Sequence, residues 1–181
     1  MNKKIKKVTV FCGSSMPLNS KLIKQETLNI ADILIRNNIE LVYGGAKIGI
    51  MGIISNRIME KGGKVTGIIP KILVKKEIIN NNITELIVVN SMHERKKMMY
   101  DLSDAYIILP GGIGTLEELS ETITWKVLGI EDKKIIIFNL NGFYDNLIKQ
   151  FKTMEENNFL YNNILQKIII INDSNKLDQV L

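Results

Sequence analysis

The stretch Ala105-Tyr106-Ile107-Ile108-Leu109-Pro110-Gly111-Gly112-Ile113-Gly114-Thr115-Leu116-Glu117-Glu118 decides the fold. Five apolar or aromatic residues run without interruption into a proline and three glycines. A strand with one wet face would alternate, so the unbroken run reads as a strand covered on both faces. A helix should follow at once, with Thr115 as its N-cap and Gly129 as its stop. Strand, glycine loop and helix together form the unit from which parallel sheets are built.

The same unit recurs in both directions along the chain. Toward the N-terminus, residues 8–12 form a strand candidate followed by a helix over 20–37. A second strand over 40–43 runs into Gly44-Gly45, and a helix over 50–61 stops at Gly62-Gly63. Residues 64–69 form a strand that Pro70 ends, and residues 85–89 another, before a helix over 91–102. Beyond the central stretch come a strand over 134–138, a helix over 144–156, a strand over 167–171 and a short helical tail over 174–181. Residues 71–82 carry no clear period, and Asn80-Asn81-Asn82 reads as a loop. The expectation is one α/β domain over residues 1–181. It is a Rossmann-like, doubly wound parallel sheet with helices on both faces, and its ligands sit at the carboxyl ends of the strands.

Composition narrows the function classes. The chain has 181 residues, 45% hydrophobic and 24% charged, the balance of a globular protein with one substantial core. Its net charge of +5 comes from lysines dispersed among acids, and only 6% of residues are aromatic. That pattern lacks the basic stripe with stacking aromatics that nucleic-acid binding uses, so no nucleic-acid partner is expected. No apolar run approaches the roughly 20 residues that span a bilayer, so no membrane role is expected. One cysteine, Cys12, and one histidine, His93, leave no basis for a disulfide or a zinc site. A cytoplasmic location fits these features.

Four loops at the strand ends carry the candidate chemistry. Cys12-Gly13-Ser14-Ser15 offers close backbone approach and the Ser14 hydroxyl. Gly44-Gly45-Ala46-Lys47-Ile48-Gly49-Ile50-Met51-Gly52 places glycines between a strand and a helix, where free N–H groups favour an anion; close helix–sheet packing explains the same glycines equally well. In Ser91-Met92-His93-Glu94-Arg95-Lys96-Lys97, Ser91 and Glu94 have capping-box spacing. Arg95 shares a helical face with Met98, Met99 and Leu102, so it should point inward and require an anionic partner. Lys96 and Lys97 should be solvated. In the fourth loop, Gly111, Gly112, Gly114 and Thr115 build a nest of N–H groups suited to phosphate. Thr115 and Glu118 have capping-box spacing, which assigns Glu118 to the helix start and leaves Glu117 as the free carboxylate at the loop mouth.

Taken in order, these blocks resemble the Lonely Guy family of cytokinin riboside 5′-monophosphate phosphoribohydrolases, long labelled possible lysine decarboxylases. The similarity rests on residues 110–118, on Phe11-Cys12-Gly13-Ser14, on Leu41-Val42-Tyr43-Gly44-Gly45 and on Gly49-Ile50-Met51-Gly52. It extends through Gly67-Ile68-Ile69-Pro70, Met92-His93-Glu94-Arg95-Lys96 and Thr124-Trp125. The resemblance implies a homodimer, no metal and no cofactor. It implies AMP or an N6-modified AMP as substrate, cut to free base and ribose 5-phosphate. It places the catalytic pair on Arg95 and Glu117, and substrate contacts on Ser14, Gly44, Gly45, Met51, Glu77, Glu94, Gly111, Gly112, Gly114 and Thr115. Ala46 and Lys47 depart from the family's usual glycine and small residue, and Ile113 stands where plant members often have an aromatic.

Cleavage of a base–ribose bond puts positive charge on the anomeric carbon, which a carboxylate can stabilise. On this reading Glu117 supplies the carboxylate and Arg95 holds ribose or phosphate. The rival from another class is a non-catalytic carrier of a phosphorylated ligand, like the molybdenum-cofactor carriers that resemble this family. A nicotinamide-dependent oxidoreductase is disfavoured, because the first loop lacks G-x-G-x-x-G. Lysine decarboxylation is disfavoured because no Schiff-base lysine site is identifiable.

Overall fold

The computed structural model describes residues 4–17, 20–74, 79–160 and 164–181. Seven strands form one parallel sheet: β1 (Lys7–Phe11), β2 (Glu40–Tyr43), β3 (Val65–Pro70), β4 (Glu85–Val89), β5 (Ala105–Ile108), β6 (Lys134–Phe138) and β7 (Ile169–Ile171). Their spatial order is β4-β3-β2-β1-β5-β6-β7. The helices are α1 (Lys21–Arg36), α2 (Gly49–Glu60), α3 (Lys71–Val74), α4 (Met92–Leu102), α5 (Ile113–Val127), α6 (Asp145–Glu156) and α7 (Leu177–Val180).

Alternate strand residues feed two separate cores, which is why the strands read as unbroken apolar runs. Val8 and Val10 of β1, and Ala105 and Ile107 of β5, face α1 and α2, where Ile30, Leu34, Ile54 and Ile58 meet them. Phe11, Tyr106 and Ile108 point the other way, onto Met99 and Tyr100 of α4, Leu119 and Ile123 of α5 and Phe151 of α6. Each such Ile or Val stabilises the fold by about 1.5–3 kcal/mol through burial. Together they fix the register of both faces.

The order reverses at the centre. From β1 the chain moves outward through β2, β3 and β4, then returns across α4 to place β5 on the other side of β1. The loops after β1 and β5 therefore diverge to opposite faces and leave a crevice between them.

Several local boundaries differ from expectation: β3 includes Pro70, and β7 begins two residues late, at Ile169. Helix α5 begins at Ile113 with Gly112 as its N-cap, so Thr115 lies inside the first turn and is buried. Tight packing of Gly111 against Thr115 starts the helix two residues early. Residues 71–74, which showed no period, form the single turn α3.

Candidate active site

The four loops do meet at the β1–β5 crevice. The Gly13 N–H donates to the Pro110 carbonyl at 3.1 Å, and the Ile50 N–H donates to the Gly13 carbonyl at 3.2 Å. Gly49 adopts φ +61°, and a Cβ there would collide with the Ser14 carbonyl carbon and lie 2.5 Å from the Ser15 nitrogen. Only glycine permits that approach, so the second loop is locked onto the first. A Cβ on Gly111 would collide with Thr115 Oγ1 and stand 2.9 Å from the Gly13 nitrogen. Gly112 and Gly114 face open space. The N–H groups of the first turn of α5 have no partner within the helix, the arrangement that receives an anion. Ser14 is exposed beside them.

Arg95 enters from the opposite wall. It is only 7% exposed, and its Nε donates to the Ile68 carbonyl at 3.1 Å. Its guanidinium lies against Gly44. A Cβ on that glycine would overlap Nη2 and come within 2.9 Å of Met51 Sδ. Arg95, Gly44 and Met51 thus share one contact. Gly45 is buried next to it. The Ser91 hydroxyl accepts from the Glu94 N–H at 3.1 Å, and the Glu94 carboxylate accepts from the Asn90 N–H at 2.7 Å. Glu94 thus holds the start of α4 with one carboxylate oxygen. Glu77, expected as a substrate contact, lies outside the described residues.

The two glutamates of the fourth loop divide in a way that the sequence reading did not foresee. Glu117 is 51% exposed at its side chain and is paired with Lys96. Glu118 is 7% exposed and is not a capping residue. Burial pushes its pKa up to about 7, against the pull of Arg95; Glu117 adds to the rise, and Lys96 opposes it. Glu118 and Arg95 are both buried, and the positive charge of Arg95 holds the Glu118 carboxyl lower than burial alone would.

Lys96, expected in solvent, is also buried. Its Nζ bridges Glu117 and Glu121, the latter at 2.9 Å, and Tyr100 donates its hydroxyl to the same Glu121 at 2.7 Å. Helix α4 presents two adjacent stripes, 95/99 toward the sheet and 96/100 toward α5, because it packs against both. Lys97 is exposed as expected and pairs with Asp101.

Burial raises the Cys12 thiol far above its ordinary range, and Glu118 adds to the rise, so Cys12 stays a thiol and is no nucleophile. Ala46 is buried and forms an antiparallel bridge with Ile79, whereas Lys47 points outward.

A signal for Glu118 was present in the sequence. Thr115, Glu118 and Thr122 recur at i, i+3 and i+7, and all three are buried on one stripe of α5. The capping-box pattern masked it.

Known proteins resemble this chain in sequence and in fold. The family described as possible lysine decarboxylase matches residues 51–180. A cytokinin riboside 5′-monophosphate phosphoribohydrolase of Arabidopsis thaliana is 40% identical over 178 residues, covering 98% of this chain and 83% of the relative. Another from the same plant is 44% identical over 157 residues, 87% of this chain and 73% of the relative. Among solved structures, the molybdenum cofactor carrier protein of Chlamydomonas reinhardtii aligns with a TM-score of 0.70 over 97% of this chain and 94% of its own, at 15% identity. That likeness establishes a shared fold and nothing more. With its glycine loops, its buried arginine and its relatives all in agreement, this chain belongs to the Lonely Guy family.

Proposed function

We propose that the chain hydrolyses the N-glycosidic bond of AMP or an N6-modified AMP, releasing the base and ribose 5-phosphate. The observation that carries this reading is the pair of buried charges, Arg95 and Glu118, beside an open N–H nest at the start of α5. A charge-bearing crevice with an anion seat matches a phosphorylated sugar whose anomeric carbon becomes positive. The relatives are named for the same chemistry on cytokinin riboside monophosphates.

In this reading Gly111, Gly112, Gly114, Thr115 and Ser14 seat the phosphate. Arg95, pressed on Gly44 and Met51, holds the ribose phosphate and orients Glu118. Ionised Glu118 stabilises the developing charge and aligns the attacking water. Glu117, first expected in that role, we assign to the rim, where it holds Lys96. Because burial raises Glu118 to about 7, kcat/KM is expected to rise with pH through that value. A profile that falls over the same interval would assign Glu118 to donating a proton instead.

A chromatographic assay with AMP and isopentenyl-AMP tests the reaction directly. Release of free base with ribose 5-phosphate is the expected result. Binding of both nucleotides without release of either would leave the carrier reading, which now rests on fold likeness alone. No helix among the described residues is long and apolar enough to cross a membrane, and we place the enzyme in the cytoplasm. We also propose a homodimer: Leu128 and Ile130 stand exposed near the end of α5, and light scattering on purified protein measures the mass.

A further inference from the structure

We infer that Asn80 is a positioning residue for Arg95, holding both walls against which the guanidinium is seated. The inference rests on Arg95 serving the proposed site.

Asn80 is a buried polar residue in the segment that follows α3. Its backbone N–H donates to the Gly45 carbonyl at 3.0 Å, and its neighbour Ile79 bridges Ala46. That fixes the loop whose Gly44 touches Arg95. Its side-chain amide donates to Ser55 Oγ at 3.1 Å and to Asn56 Oδ1 at 3.0 Å. Ser55 in turn donates to the Met51 carbonyl at 2.8 Å, and Met51 is the second residue at the Gly44–Arg95 contact. The Asn80 Oδ1 accepts from the Asn82 N–H at 3.1 Å, which closes its own turn. Each bonding group of Asn80 named here is thus used. Two of its links end on Gly45 and Ser55, which stand one residue from Gly44 and one helical turn from Met51, the two residues at the guanidinium.

The site has little slack. Arg95 Nη2 already occupies the space a Cβ on Gly44 would need, so a shift of either wall moves the guanidinium. Displacements of about 1 Å at a reacting centre cost up to about a hundredfold in rate. A purely structural asparagine would lower stability and leave each folded molecule unchanged.

The test reads Arg95 itself. In ¹⁵N-labelled protein the Arg95 Nε–H, bonded to the Ile68 carbonyl, gives a side-chain resonance assigned by its loss in Arg95→Lys. Asn80→Asp keeps the size, the acceptor and the backbone bond, but removes both side-chain donors. Ser55→Ala cuts the branch through Ser55 to the Met51 and Gly52 carbonyls and leaves the Gly45 and Asn56 links in place. The expected result is a shifted or broadened Arg95 signal in both variants, larger for Asn80→Asp. With it, kcat per folded molecule should fall about tenfold in Asn80→Asp, with a smaller change in KM. An Arg95 signal unchanged in both variants overturns the inference, whatever happens to activity. A moved signal with unchanged turnover upholds it and removes Arg95 from the proposed chemistry instead.

Discussion

Arg95 with Glu118, and Lys96 with Glu117, are two couples of opposite charge built from adjacent residues on the same two helices. Their surroundings differ completely. Arg95 and Glu118 are both buried at the crevice between β1 and β5, and there the raised pKa of Glu118 records how little solvent offsets its charge. Lys96 is buried too, but its carboxylate partners reach the surface, with Glu117 half exposed and Glu121 held by Tyr100. An ion pair with one member in water is worth about 1 kcal/mol or less, whereas a buried charge left without its partner costs about 3–5 kcal/mol. The inner charges therefore sit where solvent screens them least, and the outer ion pair where it screens them most. Strongly perturbed carboxyl groups cluster at functional sites, which is the reasoning that assigns Glu118 to the proposed site.

The sharpest way to break that comparison is Glu118→Gln. It should lower kcat by about 10³-fold while the circular dichroism spectrum is retained. Turnover within tenfold of the native protein would remove Glu118 from the reacting centre. Gly44→Ala comes next. Its methyl occupies the space of Arg95 Nη2, so kcat/KM should fall by about 10²-fold without any change to a charged group. Native kinetics in this variant would mean that the guanidinium has room to spare.

The third prediction concerns stability. The Glu118 pKa is raised from 4.5 to about 7 in the folded chain. Between those values the folded protein keeps a proton that the unfolded chain releases, so this group's contribution to stability is lost as pH rises. The loss amounts to about 3 kcal/mol at most. Urea unfolding at pH 5 and pH 8 should show Glu118→Gln gaining on the native protein at the higher pH. Parallel shifts at both pH values would place Glu118 in a wetter setting. The smallest effect belongs to Glu117→Gln. Lys96 keeps Glu121, and steady-state kinetics should show less than about a fivefold change. A loss matching that of Glu118→Gln would move the reacting carboxylate outward to the rim.

The fold was legible almost throughout. Apolar runs punctuated by glycine and proline depend only on local propensity and on which faces are covered, so every strand was expected close to where it lies. The start of α5 was misplaced by two residues, because the fit of Gly111 against Thr115 is a contact between side chain and backbone that no residue pattern displays. The site was legible as a set of loops. The inward turn of Arg95 followed from its helical neighbours Met98 and Met99, and the choice of glycine loops followed from their place at the carboxyl ends of parallel strands.

Sequence by itself thus determined the parallel sheet, the glycine loops at its strand ends, the inward arginine and the family resemblance, all of which rest on short-range periodicity and motif order. Tertiary structure alone decided that Glu118 goes in while Glu117 stays out, that Lys96 is buried, and that Asn80 ties the loop after β2 to α2. Glu117 and Glu118 differ by one step of about 100° around α5, and only the packing of α5 against α4 and the sheet says which of the two directions is dry.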